Sequence, residues 1–138
     1  MTSTHSVLAG RYRLQEPIGQ GGMGRVWLGT DEVLGRRVAV KEIVPPAGYT
    51  EDEVRELSAR ALREARTAAR LSHTNVVAVY DVVVDQGSPW IVMEYVESRS
   101  LQQIVAQQGR LDVPEVARIG LGVLAALRAA HGLSLIHI

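Results

Sequence analysis

The residues of this chain best placed to do chemistry are a set of spaced glycines and one lysine. The stretch Ile18-Gly19-Gln20-Gly21-Gly22-Met23-Gly24-Arg25-Val26 holds a GxGxxGxV pattern at Gly19, Gly21, Gly24 and Val26. A short apolar run, Val38-Ala39-Val40, then ends in Lys41, the only lysine in the sequence. Glycine lets the main chain adopt positive φ and lie against a ligand, so such loops suit polyphosphates. The bland alternative is a simple turn beside a solvated lysine. Dinucleotide-binding folds also use this spelling, there turning a strand into a helix whose N-terminus receives the pyrophosphate.

The flanking elements separate these cases. After Gly24 the chain reads Arg25-Val26-Trp27-Leu28-Gly29-Thr30, β-branched and aromatic without helical periodicity. Before it, Tyr12 to Ile18 also reads as a strand, despite Pro17 near its end. Strand, glycine turn and strand make a hairpin that can fold over phosphates as a flap. A third strand over residues 37–43, entered by the turn Leu34-Gly35-Arg36, carries Lys41 near its end. A glycine-rich hairpin followed by Val-Ala-Val-Lys resembles the N-lobe of the protein kinases.

Downstream, Thr50 and Glu53 form a capping box for a helix expected to run to about Leu71. Leu57, Ala61, Ala68 and Leu71 recur at helical steps, and Glu64 falls within that stripe. A carboxylate on a core-facing stripe is costly unless a cation meets it. Arg60, Arg63, Arg66 and Arg70 offer partners along the same helix. The kinase pattern of a strand lysine held by a helix glutamate instead favours pairing of Glu64 with Lys41.

Ser72-His73-Thr74-Asn75 ends the helix, and His73 reads as a loop histidine bonded to main chain. Residues 76–84 and 89–93 read as two further strands joined by the turn Asp85-Gln86-Gly87-Ser88. Residues 100–108 read as a short helix stopped by Gly109-Arg110. Pro114 opens a last helix with apolar repeats at Val116, Ile119, Val123, Leu127 and Ala130.

Composition bounds the rest. A chain of 138 residues is one domain or part of one. Fifteen basic and fifteen acidic residues balance, so nothing points to nucleic acid or an anionic membrane. There is no cysteine, hence no disulfide framework or thiolate chemistry. No apolar run approaches the roughly 20 residues of a membrane span, and no secretory signal opens the chain. The expectation is a cytoplasmic domain, with a membrane anchor elsewhere in a longer protein left open.

From Arg11 to Gly132 the sequence resembles the N-terminal part of a bacterial Ser/Thr protein kinase of the eukaryotic-like superfamily. The resemblance implies an α+β fold: a five-stranded antiparallel sheet, one regulatory helix, a hinge, and the first helices of a helical C-lobe. Its divisions fall at 1–10 (flexible lead-in), 11–97 (N-lobe and hinge) and 98–132 (start of the C-lobe). It implies ATP as cofactor, with Gly19, Gln20, Gly21, Gly22, Met23 and Gly24 covering the phosphates. Ile18, Val26 and Ala39 would line the adenine slot, with Met93 as gatekeeper behind the base. The Glu94 carbonyl and the Val96 amide would hydrogen-bond the base, and Lys41, fixed by Glu64, would hold the α- and β-phosphates. Ser98 stands where the family usually has glycine, which puts ribose contacts at Glu97 and Ser98 in doubt. Arg11, Leu34 and Asp81 stand where relatives pair two N-lobes back to back.

The family's catalytic-loop aspartate, its Asp-Phe-Gly motif, its Mg2+ ligands and its substrate platform have no counterpart in these residues. The sequence contains no phenylalanine at all. This stretch by itself is therefore expected to be inactive, and protein substrates belong to the longer parent. A docking or nucleotide-binding module without catalysis is the competing reading. Residues 133–138, Leu-Ser-Leu-Ile-His-Ile, admit two readings. His137 fits the spacing of a catalytic-loop histidine. The six residues are also the codon-for-codon translation of a transposon mosaic end used in sequencing libraries, and a non-native junction is the expectation.

Overall fold

The computed structural model describes residues 6–21 and 24–133. The junction reading of 133–138 and the loop-tip role of Gly22 and Met23 thus fall almost wholly outside it. In chain order the elements are β1 (Val7–Leu8), β2 (Tyr12–Gly21), β3 (Gly24–Asp31), β4 (Arg36–Glu42), α1 (Glu51–Ala68), β5 (Val79–Asp85), β6 (Ser88–Glu94), α2 (Leu101–Gln108) and α3 (Val113–Gly132). All neighbouring strands are antiparallel, in the order β1-β2-β3-β4-β6-β5. The five expected strands are present, and β1 adds a sixth. The lead-in expected to reach Gly10 therefore already contains a strand, anchored by Leu8, which is 2% exposed.

Strand alternation divides the sheet into two faces. Val38 and Val40 of β4 point one way, where Leu8, Tyr12, Leu14, Trp90 and Val92 join them in the core. Ala39 and Lys41 point the other way. The sheet must also curl. Between β2 and β5 lie four interstrand steps, roughly 19 Å if flat. Yet the Tyr12 hydroxyl donates to Asp81 Oδ2 at 2.6 Å, a reach that only a sheet wrapped around its core permits.

Helix α1 begins as the sequence dictates, with Thr50 and Glu53 exchanging side-chain-to-backbone bonds in a capping box. It ends at Ala68, one turn short of the expected Leu71. Its buried centre is Ala65, so the apolar stripe lies slightly round the helix from where Glu64 would occupy its middle. Helix α2 has a second capping box, Ser100 with Gln103. Asp112 caps α3, with Pro114 in the first turn. The loop after α1 is tied down as expected of His73: its Nδ1 accepts the Asn75 N–H at 3.0 Å. Asn75 Nδ2 in turn donates to the Gly122 carbonyl of α3 at 3.1 Å. Along α3, Val116, Leu121, Val123 and Leu124 are exposed, a largely uncovered apolar surface.

Candidate nucleotide site

The glycines form a true hairpin. Gly19 opposes Val26, Gln20 opposes Arg25 and Gly21 opposes Gly24, with β3 continuing as strand to Asp31. A helix does not follow Gly24, which removes the dinucleotide-binding reading. Gly24 has φ of +148°, and a Cβ there would sit 1.8 Å from the Glu42 carbonyl oxygen. The hairpin thus lies directly on the end of β4, one residue beyond Lys41, in contact only glycine allows.

Register places the remaining candidates on one face. Val26 is opposite Lys41, Leu28 opposite Ala39, and Ala39 opposite Met93. Ala39 is buried, while Ile18 at the hairpin base is exposed. Lys41, Glu64 and Met93 share the lining of a cavity of about 320 Å³ between the sheet and α1, with Ile43, Ala61, Ala65, Ala68, Val79 and Ile91. None of Ile18, Gly19, Gly24, Val26 or Ala39 lines this cavity, so it adjoins the expected adenine slot through Lys41 and Met93 rather than being that slot.

The expected Lys41–Glu64 pair is not formed. Glu64 Oε1 accepts from Arg60 Nε at 3.0 Å, and Lys41 has no ion pair among the described residues. The reason is the position of Glu64 at the rim of the buried stripe, where its side chain is 66% exposed and an arginine one turn back is nearer. An exposed i,i+4 pair is worth only about 0.3–0.5 kcal/mol, so this arrangement is easily exchanged for another.

At the hinge, Glu94 N–H donates to the Ala78 carbonyl at 2.8 Å, and Ala78 N–H donates to Glu94 Oε1 at 3.1 Å. Val96 is exposed. Arg37 lies over the Tyr95 ring at 5.3 Å and reaches Glu97 Oε2 at 3.3 Å. Glu97, already doubtful as a ribose contact, is thus engaged by Arg37. Among the described residues no group of three or more His, Cys, Asp or Glu side chains is arranged to hold a metal.

Sequence reading missed a polar network behind the site. Asp31, 1% exposed, accepts from Arg11 Nε at 2.9 Å and Nη2 at 2.8 Å, and from the Val33 and Leu34 amides. The Val33 and Leu34 amides are local partners, but the arginine that meets this aspartate lies 20 residues away, in the turn before β2, and the local sequence does not place it there. The bond to Arg11 holds the Asp31 carboxyl well below its ordinary value. Burial, then the bond to Asp81, pushes the Tyr12 phenol up to about 12. The two signs differ. Asp31 contributes stability above its unfolded value near 3.8, lost as pH falls below it. Tyr12 contributes below its ordinary 10.0, lost as pH rises toward about 12. Denaturant melts across pH should show Asp31→Asn less stable at neutrality with a flatter acid limb. Tyr12→Phe should flatten the alkaline limb. An acid limb as steep in Asp31→Asn as in the natural protein would refute the assignment.

Comparison with known proteins agrees with this architecture. The family described as protein kinase domain matches residues 12–138. The chain is 41% identical over 140 residues to the serine/threonine-protein kinase PksC of Streptomyces coelicolor, covering 96% of this chain and 24% of that protein. To PrkC of Bacillus subtilis, also a serine/threonine-protein kinase, identity is 35% over 94% of this chain and 19% of the relative. The crystal structure of the Mycobacterium tuberculosis PknI kinase domain superposes with a TM-score of 0.78 at 32% identity, over 96% of this chain and 51% of that domain. The chain thus spans about a quarter or less of these curated relatives and about half of the solved domain. With the hairpin, Lys41, α1 and the hinge in kinase order, the chain belongs to the protein kinase domain family, as an N-terminal portion of that domain similar to bacterial serine/threonine kinases.

Proposed function

We propose that this chain is the ATP-binding half of a Ser/Thr protein kinase that transfers the γ-phosphate of ATP to protein hydroxyls. The observation carrying this reading is Lys41 beside the glycine hairpin, opposite Val26 and on one face with Ala39 and Met93. Lys41 would neutralise the α- and β-phosphates, and Gly19 to Gly24 would cover them. Ile18, Val26 and Ala39 would enclose the adenine, with Met93 behind it. The Glu94 carbonyl and Val96 amide would bond its edge. Glu64 would leave Arg60 and turn to Lys41 when the site closes. Mg2+ supplies charge neutralisation in such chemistry, and its ligands and the base would come from residues outside this stretch. Made alone, the stretch would bind nucleotide weakly and transfer no phosphate. ATP use fits a cytoplasmic domain, with the parent's membrane anchoring left open. No helix among the described residues is long and apolar enough to cross a membrane.

Back-to-back pairing of two N-lobes would rest on Leu34, exposed with its neighbour Val33. Arg11 and Asp81 are already engaged within the chain, by Asp31 and Tyr12, and would have to exchange partners. The test of the nucleotide reading is an ATP titration followed by amide NMR. The Val96 and Gly19 resonances should shift, and those of the exposed α3 face should not. Shifts confined to surface arginines, with Val96 unmoved, would leave the docking-module reading in its place.

A further inference from the structure

The chain crosses from the sheet to α2 through residues 95–100, and both ends of that crossing are held by side chains. Pairing with β4 ends at Val38 and Glu94, and α2 starts at Leu101. Residues 95–97 belong to no helix or strand. On the sheet side one guanidinium grips two of them. Arg37 lies over the Tyr95 ring at 5.3 Å, and its Nη2 donates to Glu97 Oε2 at 3.3 Å. Strand alternation sends its neighbour Arg36 to the opposite face, where it lies over the Tyr80 ring at 3.9 Å. On the helix side, Ser100 shares a capping box with Gln103, and Arg99 donates to Gln107 Oε1. Between the two held pairs lies only Ser98, whose side chain makes no hydrogen bond among the described residues. No glycine falls between Gly87 and Gly109. The main chain here lacks the freedom of glycine, so side-chain contacts can set its direction.

We propose that Arg37 is a positioning residue that keeps the crossing stiff up to Glu97 and leaves Ser98 as its pivot. The stack on Tyr95 and the ion pair to Glu97 are each modest for exposed groups. Made by one guanidinium, they hold the chain on both sides of Val96, which neither contact does alone. Without Arg37, residues 95–97 would move together with Ser98. The consequence for a ligand rests on the nucleotide reading above. A base lodged against this segment would first have to order it, and binding would carry that entropy cost. The cost falls on the base, so it is the same with or without phosphates.

The test pairs 15N relaxation with ligand titration on the intact protein and on Arg37→Ala. In the natural protein the order parameters of Tyr95, Val96 and Glu97 should lie near the rigid value of about 0.85, with a dip at Ser98. In Arg37→Ala the dip should spread over all three, to below about 0.6. Dissociation constants for ATP and for adenosine should both rise, by the same three- to tenfold or roughly so. A long-range attraction of the guanidinium for phosphates would instead weaken ATP and spare adenosine. The charge swap, Arg37→Glu with Glu97→Arg, restores the ion pair and should recover order at position 97, while Arg37→Glu alone should not. Unchanged order at 95–97 in Arg37→Ala overturns the inference, and so does a loss confined to ATP. A natural protein that binds neither ligand overturns the nucleotide reading, and the relaxation data then decide the pivot by themselves.

Discussion

Replacing Lys41 by alanine is expected to lower phosphoryl transfer by the intact protein by roughly 10²- to 10³-fold, the usual cost of removing one preorganised charge partner of a developing anion. Phosphoryl transfer is mainly positioning and charge neutralisation. Lys41 is the only lysine in the sequence, and among the described residues no arginine lines its cavity. The nearest cation described is Arg60, held at the rim by Glu64. The β4 ladder does not depend on its side chain, so the fold should survive and the loss should appear in kcat/KM. A radiolabelled-ATP assay with a generic protein substrate measures it. The 138-residue stretch made alone should transfer nothing above its own Lys41→Ala control. Transfer by that stretch would mean that a base and metal ligands from elsewhere are unnecessary, and the proposed mechanism would have to be abandoned.

The second large effect is expected at Gly24. Alanine there places a methyl 1.8 Å from the Glu42 carbonyl oxygen and 2.9 Å from its carbon, on a main chain held at φ +148°. Backbone occupies the space, so no flexible side chain can yield. The start of β3 must lift from β4, carrying the phosphate cover away from Lys41. A loss on the order of 2–4 kcal/mol in unfolding free energy is expected, with nucleotide affinity falling beyond what stability explains. Gly19→Ala is the internal comparison, because its Cβ would meet only Val26 Cβ at 4.0 Å. Urea melts of both variants decide the matter, and equal stability of Gly24→Ala and Gly19→Ala would refute the close approach.

The family and most of the elements were legible in the sequence because their causes are local. Thr50 and Glu53 lie three residues apart and cap α1 through their own backbone. Alternation along Val38-Ala39-Val40-Lys41 decides which residues enter the core, whatever lies across the sheet. The glycine spacing and the strand after Gly24 distinguish a hairpin from a helix start for the same reason. Tertiary structure decided what depends on distance in the chain. Periodicity placed Glu64 on the stripe, but a turn of helix spans only 3.6 residues. Centring burial on Ala65 was enough to bring Glu64 to the rim and to Arg60. Asp31 meets Arg11 because β2 and β3 pair with Tyr12 opposite Asp31, and Tyr12 meets Asp81 only because the sheet curls. The Ala78 N–H meets the Glu94 carboxylate where β5 and β6 fall out of register. Local patterns name the groups available, while the register and curvature that bring distant groups within 3 Å of one another are properties of the assembled sheet.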